Sequence, residues 1–227
     1  MKFTRSIKQF ASYTALERQE FLQRLVDNNV IIIDLLTVYV MPNVIVEPGT
    51  IILPNSYLLG NTIVGKDCVI GPNSVISDTH IGNNCCITFS VLEEAVVGND
   101  VEIGPFAHLR KGARLGDNVH MGNFGEIKNS YLASGTKMGH FSYIGDAVIG
   151  EDVNIGAGTI TCNYDGTNKH PTKIGKNSFI GSDTMLVAPL DIGQNARTGA
   201  GAVVTKNVPD DTLVVGIPAR QKTKAST

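Results

Sequence analysis

Aliphatic side chains return along this chain at every sixth position, often with glycine next and polar residues in between. One run keeps the beat from Val97 through Ile103, Leu109, Leu115 and Met121 to Ile127. A second passes from Val46 through Ile52, Leu58, Val64 and Ile70 to Ile76, and a third from Ile174 through Ile180, Leu186, Ile192 and Thr198 to Val204. Shorter pieces stand at Ile81/Ile87, Met138/Ile144 and Ile149/Ile155. A period of six matches neither an α-helix nor an alternating strand. It matches a parallel β-helix, in which each unit is one short strand plus a turn and three units close a triangular coil. The aliphatics then point inward and stack from coil to coil, and the glycine after each admits a turn that a side chain would obstruct. At the usual strand spacing, about eight to nine coils would make a prism on the order of 40 Å long.

A solenoid has open ends that need covers. Thr14 and Glu17 have capping-box spacing, Leu16, Leu22, Leu25 and Val26 form an apolar stripe at helical spacing, and Asn28-Asn29 is a helix stop. The apolar stretch from Val30 to Val40 reads as a strand leading into the first coil. The expected order is a short α-helix and lead-in strand over 1–40, an all-β solenoid over 41–209 with a projecting loop at 161–173, and a tail over 210–227. Parallel crossovers are nearly always right-handed, yet known hexapeptide-repeat families coil left-handed, so a left-handed parallel β-helix is expected.

Interruptions of the beat point to function. The register slips by one residue between Ile76 and Ile81, and again between Ile144 and Ile149. Eleven residues separate Ile127 from Met138, where twelve would hold register. The large break is Thr161 to Lys173, TCNYDGTNKHPTK, which is polar and must project as a loop. Arg110 and Lys128 fill the slot after the aliphatic, where glycine is usual, and lie 18 residues apart, so they stack one coil apart. Two stacked cations call for an anion between or beside them, and phosphate is the natural candidate. The same spacing stacks His108 on Glu126, with Tyr143 next in that column.

Composition narrows the chemistry. A net charge of −2 gives no general attraction to nucleic acid or acidic membranes. No apolar run is long enough to span a bilayer and MKFTRSIKQF is not signal-like, so a cytoplasmic protein is expected. Cys68, Cys85, Cys86 and Cys162 lack metal or redox spacing. Among His80, His108, His120, His140 and His170 there is no close His-x4-His pair of the kind zinc-dependent γ-class carbonic anhydrases use, and no metal is expected. His140 follows Met138-Gly139 near a register break, close to Tyr143 and the cations.

The strings IGPFAHLRKGARL (103–115), GNFGEIKNS (122–130), GHFSYIGDAVIGEDVNIGAGTITCNYDG (139–166) and IGSDTMLVAP (180–189) closely resemble the C-terminal acetyltransferase domain of GlmU. The likeness is dense over 97–208 and looser before it. The resemblance implies transfer of acetyl from acetyl-CoA to the amine of glucosamine 1-phosphate, in the pathway to UDP-GlcNAc and peptidoglycan. It implies a homotrimer with sites between subunits, the 161–173 loop completing a neighbour's site. By the same resemblance His140 is the catalytic base. Arg110, Lys128, Tyr143, Asn154 and the loop's Lys169 bind the sugar phosphate, and Ala157, Asn163, Tyr164, Ser182 and Ala200 bind acetyl-CoA. Arg220 stands in for the family's C-terminal CoA-phosphate arginine. Motif proximity suggests Glu126 as the group that orients His140. Backbone N–H groups around Gly156–Gly158, or Ser182, would stabilise the oxyanion. Gly125 replaces the family's valine. No nucleotidyltransferase signature occurs, so no uridyltransferase activity is expected, and a separate uridyltransferase would be a natural partner. Two other readings remain: an acetyltransferase of another amino-sugar, including nucleotide-linked ones, for polysaccharide synthesis, and a non-catalytic trimeric scaffold.

Overall fold

The computed structural model describes residues 8–222. The chain winds as a left-handed parallel β-helix. Its three faces are sheets of twelve, ten and nine strands, here called faces A, B and C. The ten strands of face B count the coils, one or two more than the spacing predicted. Most strands are two or three residues long, because the chain must turn a corner every few residues to close the triangle.

The inward aliphatics form one continuous core, with Ile52, Leu58, Ile70, Ile76, Leu109, Met121, Ile127 and Ile144 fully buried. Register breaks are absorbed at the corners, so inward residues still stack: Ile127 pairs with Ile144 although they are 17 residues apart.

The turn chemistry differs from expectation. Asn or Asp takes the left-handed conformation at many corners, including Asn55 (φ 57°), Asp100 (φ 56°) and Asp152 (φ 54°); their short polar side chains tolerate that region. Gly71 (φ 98°) and Gly104 (φ 111°) also take positive φ, but most glycines after the aliphatic serve a different need, close approach of coils. A Cβ on Gly65 would lie 2.5 Å from the Gly82 carbonyl oxygen of the next coil. This glycine slot belongs chiefly to two corners, Gly145 being the exception at the third. At the corner from face B to face C the slot holds Leu59, Ser77, Glu93, Arg110 and Lys128 in successive coils. Arg110 and Lys128 therefore depart from their neighbours in charge, not in lacking glycine.

Both ends are covered. The helix Ala15–Asp27 carries the expected capping box between Thr14 and Glu17 and stops at Asn28. It buries Leu22 and Leu25 but leaves Leu16 and Val26 exposed, so the apolar stripe is narrower than its spacing suggested. Arg24 donates to the carbonyls of Pro42 (2.8 Å) and Val44 (3.2 Å), and Asn28 Nδ2 to that of Val46 (2.9 Å). The first coil's backbone acceptors on that side are thereby engaged. The stretch Val30–Val40 is no single strand. Ile31–Ile32 and Tyr39–Val40 pair with Ile51–Ile52 and with Tyr57 and Leu58, so the solenoid starts near Ile31 and not at 41. At the other end, Leu213–Val215 continues face A beyond 209, and Arg220–Lys222 folds back antiparallel against it.

Candidate active site

The candidate site residues ride on successive coils, from that of His108 to that of Ala200, and most of them line the two edges of face B. Its strands Gly125–Lys128 and Ser142–Gly145 pair in parallel, with Glu126 opposite Tyr143 and Lys128 opposite Gly145. His108 pairs with Glu126 one coil earlier. The predicted polar column His108–Glu126–Tyr143 is thus continuous, because alternation sends Ile127 and Ile144 inward and their neighbours outward. Gly145 makes room for that column: a Cβ there would collide with the Tyr143 hydroxyl and lie 2.8 Å from Asn163 Nδ2.

The cations gather at the corner between faces B and C. Arg110 donates to Glu126 Oε1 at 2.8 Å, and that pair raises the guanidinium pKa. Lys128 stands beside Lys169 of the projecting loop, in the same chain. Repulsion from that ammonium holds the Lys128 pKa below the ordinary lysine range, with Arg110 adding to it and Asp146 opposing it. Three cations therefore meet where one neighbouring carboxylate, Glu126, is paired to Arg110 and another, Asp146, is bound by two asparagines at 2.6 Å each, Asn129 and Asn163. Such a cluster suits a dianionic ligand.

The loop is an ordered hairpin. Asp165 Oδ1 accepts from the Thr167 and Asn168 backbone N–H groups at 2.7 Å each. Asp165 Oδ2 lies 2.7 Å from His170 Nε2, and these contacts hold the Asp165 carboxyl below the usual carboxylate range. Tyr164 bridges to Lys169 in antiparallel fashion, and the His170 N–H reaches the Asn163 carbonyl. This closure sets Lys169 beside Lys128. Lys169 and Asn163 therefore meet their own chain's cation corner, while the Tyr164 hydroxyl donates to the Gly166 carbonyl within the loop.

His140 occupies the opposite corner, between faces A and B, and is exposed. It makes no side-chain hydrogen bond among the described residues. Glu126 does not orient it here, since that carboxylate is taken by Arg110. Coil lengths put Ala157, Ser182 and Ala200 in the same corner position as His140: Lys137 pairs with Asn154, Ile155 with Ile180, and Phe179 with Arg197. The signal was present in the sequence, as the second residue after each inward position in Met138-Gly-His, Ile155-Gly-Ala, Ile180-Gly-Ser and Thr198-Gly-Ala. Of the oxyanion donors expected around Gly156–Gly158 or at Ser182, the Gly156 and Gly158 N–H groups are committed to the carbonyls of Ile180 (2.8 Å) and Phe141 (2.6 Å). The N–H groups of Ala157, Ser182 and Ala200 have no partner among the described residues. They remain the donors of that corner. Asn154 sits beside it on face A, opposite Lys137. Arg220 lies at the far end of the same face, opposite Val215.

Gly125 is buried, and the methyl groups of Met138 and Met121 stand 2.6 and 2.9 Å from where its Cβ would be. Methionine thus fills the volume of the valine that the resemblance led one to expect. No group of three or more metal-ligating side chains occurs among the described residues. Two clefts, of about 570 and 580 Å³, flank the N-terminal helix, lined by residues such as Leu22 and Tyr39 or Arg24 and Val44. Face B by contrast is an open surface in one chain. Exposed Phe106, Phe124 and Phe141 follow its edge next to His140, and Phe106 stacks on Phe124 at 5.3 Å.

Residues 37–123 match the GMPPB C-terminal domain family, and residues 171–206 match the six-repeat bacterial transferase hexapeptide family. Over 149 residues the chain is 56% identical to the bifunctional protein GlmU of Synechococcus sp. (strain CC9605), covering 66% of this chain and 33% of the relative. The chain is homologous to part of GlmU. The GlmU of Streptococcus uberis is 53% identical over 141 residues, covering 62% and 31%, and that of Paracoccus denitrificans 58% over 130, covering 57% and 29%. The chain thus spans about a third of the length of these GlmU relatives. Among solved structures, UDP-N-acetylglucosamine acyltransferases from Francisella novicida (TM-score 0.54, 17% identity, 84% of this chain and 68% of that one) and Arabidopsis (0.52, 18%, 86% and 70%) share the fold.

Proposed function

We propose that this chain transfers acetyl from acetyl-CoA to the amine of glucosamine 1-phosphate, yielding N-acetylglucosamine 1-phosphate. The observation that carries the reading is the layout of face B, with three cations at one edge and His140 at the other. A four-residue strand spans about 10 Å, the scale of one sugar phosphate lying across the face. Arg110, Lys128 and Lys169 then hold the phosphate, Tyr143 and Asn154 contact the sugar, and the amine reaches His140. The corner column Ala157, Ser182 and Ala200, running toward Arg220, supports a thioester approach along that edge, with Asn163 and Tyr164 as further acetyl-CoA contacts.

The amine nitrogen attacks the thioester carbonyl while His140 takes its proton, as a general base working near neutral pH. The developing oxyanion is stabilised by the Ala157 and Ser182 N–H groups. The C–S bond then breaks, and the leaving thiolate takes up the proton to leave as free CoA thiol. Glu126 acts on the cation side, holding the Arg110 guanidinium in place. Burial pushes the Cys162 thiol pKa up, away from the thiolate an acetyl carrier needs, which supports direct transfer. The openness of face B and its flanking phenylalanines support a homotrimer in which a second copy covers the site.

The test is release of free thiol from acetyl-CoA. It should occur with glucosamine 1-phosphate and fall by about 10²–10⁴-fold in His140→Ala. Equal turnover of unphosphorylated glucosamine would refute the cation-corner reading. Preference for a nucleotide-linked amino-sugar would move the acceptor to that class.

A further inference from the structure

One residue touches both ends of the projecting loop. The Asp146 side chain accepts from Asn163 Nδ2 at 2.6 Å, where the loop leaves the coil. Its backbone carbonyl accepts from the Thr172 N–H at 3.2 Å, where the loop returns. The other carboxylate oxygen accepts from Asn129 Nδ2 at 2.6 Å, tying the arrangement to the coil before. Asp146 itself is fixed by donation from its N–H to the Lys128 carbonyl at 3.1 Å, and it turns the corner at φ 52°.

The insertion explains why such a clamp is needed. Elsewhere along this corner each residue donates its N–H to the corner residue one coil back, as Asn129 does to Lys111 and Asp146 to Lys128. The loop interrupts that ladder. Thr172, on the far side of the insertion, takes the vacant backbone bond, and Asn163, only 6% exposed, supplies a side-chain bond at the near side. Both strands of the hairpin therefore start from one residue. The hairpin carries Lys169, and Lys169 is what stands beside Lys128.

We infer that Asp146 is a positioning residue for the phosphate corner: by gripping both ends of the loop it holds Lys169 at the cation cluster. This rests on the acetyltransferase reading for its kinetic consequence but not for its structural one, and the two are measured separately. Asp146→Ala removes both side-chain bonds. Asp146→Asn keeps them, because the exposed Asn129 amide can flip to accept while Asn163 still donates.

With intact wild-type and variant protein, limited trypsin digestion should cut after Lys169 at least about tenfold faster in Asp146→Ala and within about threefold of wild type in Asp146→Asn. In thiol-release assays, Asp146→Ala should raise KM for glucosamine 1-phosphate about tenfold or more, with kcat/KM for unphosphorylated glucosamine unchanged and Asp146→Asn close to wild type. Unaltered trypsin cleavage in Asp146→Ala overturns the clamp, whatever the chemistry. Equal kinetic losses for both acceptors, or an Asp146→Asn variant as impaired as Asp146→Ala, overturns the positioning role. Faster cleavage without turnover of any sugar phosphate would leave the clamp standing and sink the acetyltransferase reading.

Discussion

Thr161→Val probes how the coil survives where the loop departs. In most coils the residue after the inward aliphatic donates its N–H to a backbone carbonyl one coil on, as Gly98 does to Leu115. At Gly145 that pattern fails, because the Thr161 carbonyl is diverted to the Asn163 N–H at 2.9 Å. The Thr161 hydroxyl takes its place, accepting from the Gly145 N–H at 2.8 Å and donating to the Tyr143 carbonyl at 3.3 Å. Thr161 is only 1% exposed, so no water replaces it. Valine has nearly the same volume and opens no large cavity; the change isolates one backbone N–H left buried without an acceptor. That omission costs about 1–3 kcal/mol, or roughly 2–12 °C in Tm for a chain of this size. Thr161→Ser retains the oxygen and should fall near wild type once the lost methyl, about 1 kcal/mol, is allowed for. The assay is thermal unfolding of wild type and the two variants by circular dichroism at matched concentration. A Thr161→Val Tm within 1 °C of wild type on that roughly 2–12 °C scale, or a serine variant as unstable as the valine one, would refute the substitution of hydroxyl for carbonyl.

Other outcomes follow from the same geometry. Because Lys169 holds the Lys128 pKa down, Lys128 loses its charge at lower pH than an isolated lysine; KM for the phosphorylated acceptor should therefore climb in the alkaline range, and in Lys169→Met that climb should move to higher pH while the KM at neutral pH rises. A pH series of KM for glucosamine 1-phosphate reads both effects. The selectivity for phosphorylated over free glucosamine should shrink as salt rises from about 0.01 to 1 M, since the cations are solvent-accessible; selectivity independent of ionic strength would contradict an electrostatic corner. Gly125→Val overfills a space the Met121 and Met138 methyls already occupy and should cost about 1–3 kcal/mol, whereas Gly125→Val with Met138→Ala should recover most of it in denaturant titration.

The solenoid, the polar column and the projecting loop were legible in the repeat because inward positions must be aliphatic and stack; the left-handed wind was not, and its expectation rested on the likeness to known hexapeptide-repeat families alone. Stacking arithmetic even located Tyr143 across a shortened coil. What stayed hidden depends on which corner a slot belongs to. Arg110 and Lys128 were singled out for lacking glycine, but their corner has no glycine rule; charge alone sets them apart. The pairing of Glu126 with Arg110 rather than His140 follows from opposite corners of one face, which spacing in a motif does not convey. Within the donors expected around Gly156–Gly158 or at Ser182, sequence could not tell that Ala157 and Ser182 keep free N–H groups while Gly156 and Gly158 do not, because consecutive N–H groups in a coil alternate between ladder and solvent. The contacts of Asp146 were invisible, since nothing in NYDG or GDA indicates that both ends of a loop of that length meet one residue of the coil before.

The antiparallel reversal at Arg220–Lys222 bears on how this architecture changes size. A parallel coil offers its exposed edge as a template on which another coil of the same kind would fit, the geometry from which fibres grow. Here the last face-A strand is already occupied by a reversed segment bearing Arg220 and Lys222, and the first coil's acceptors are engaged by Arg24 and Asn28. Stacking of copies end to end is thereby disfavoured. Lengthening can proceed only by inserting whole turns between two lids that stay unchanged, and a cut through either lid should convert the prism into a seed for polymerisation.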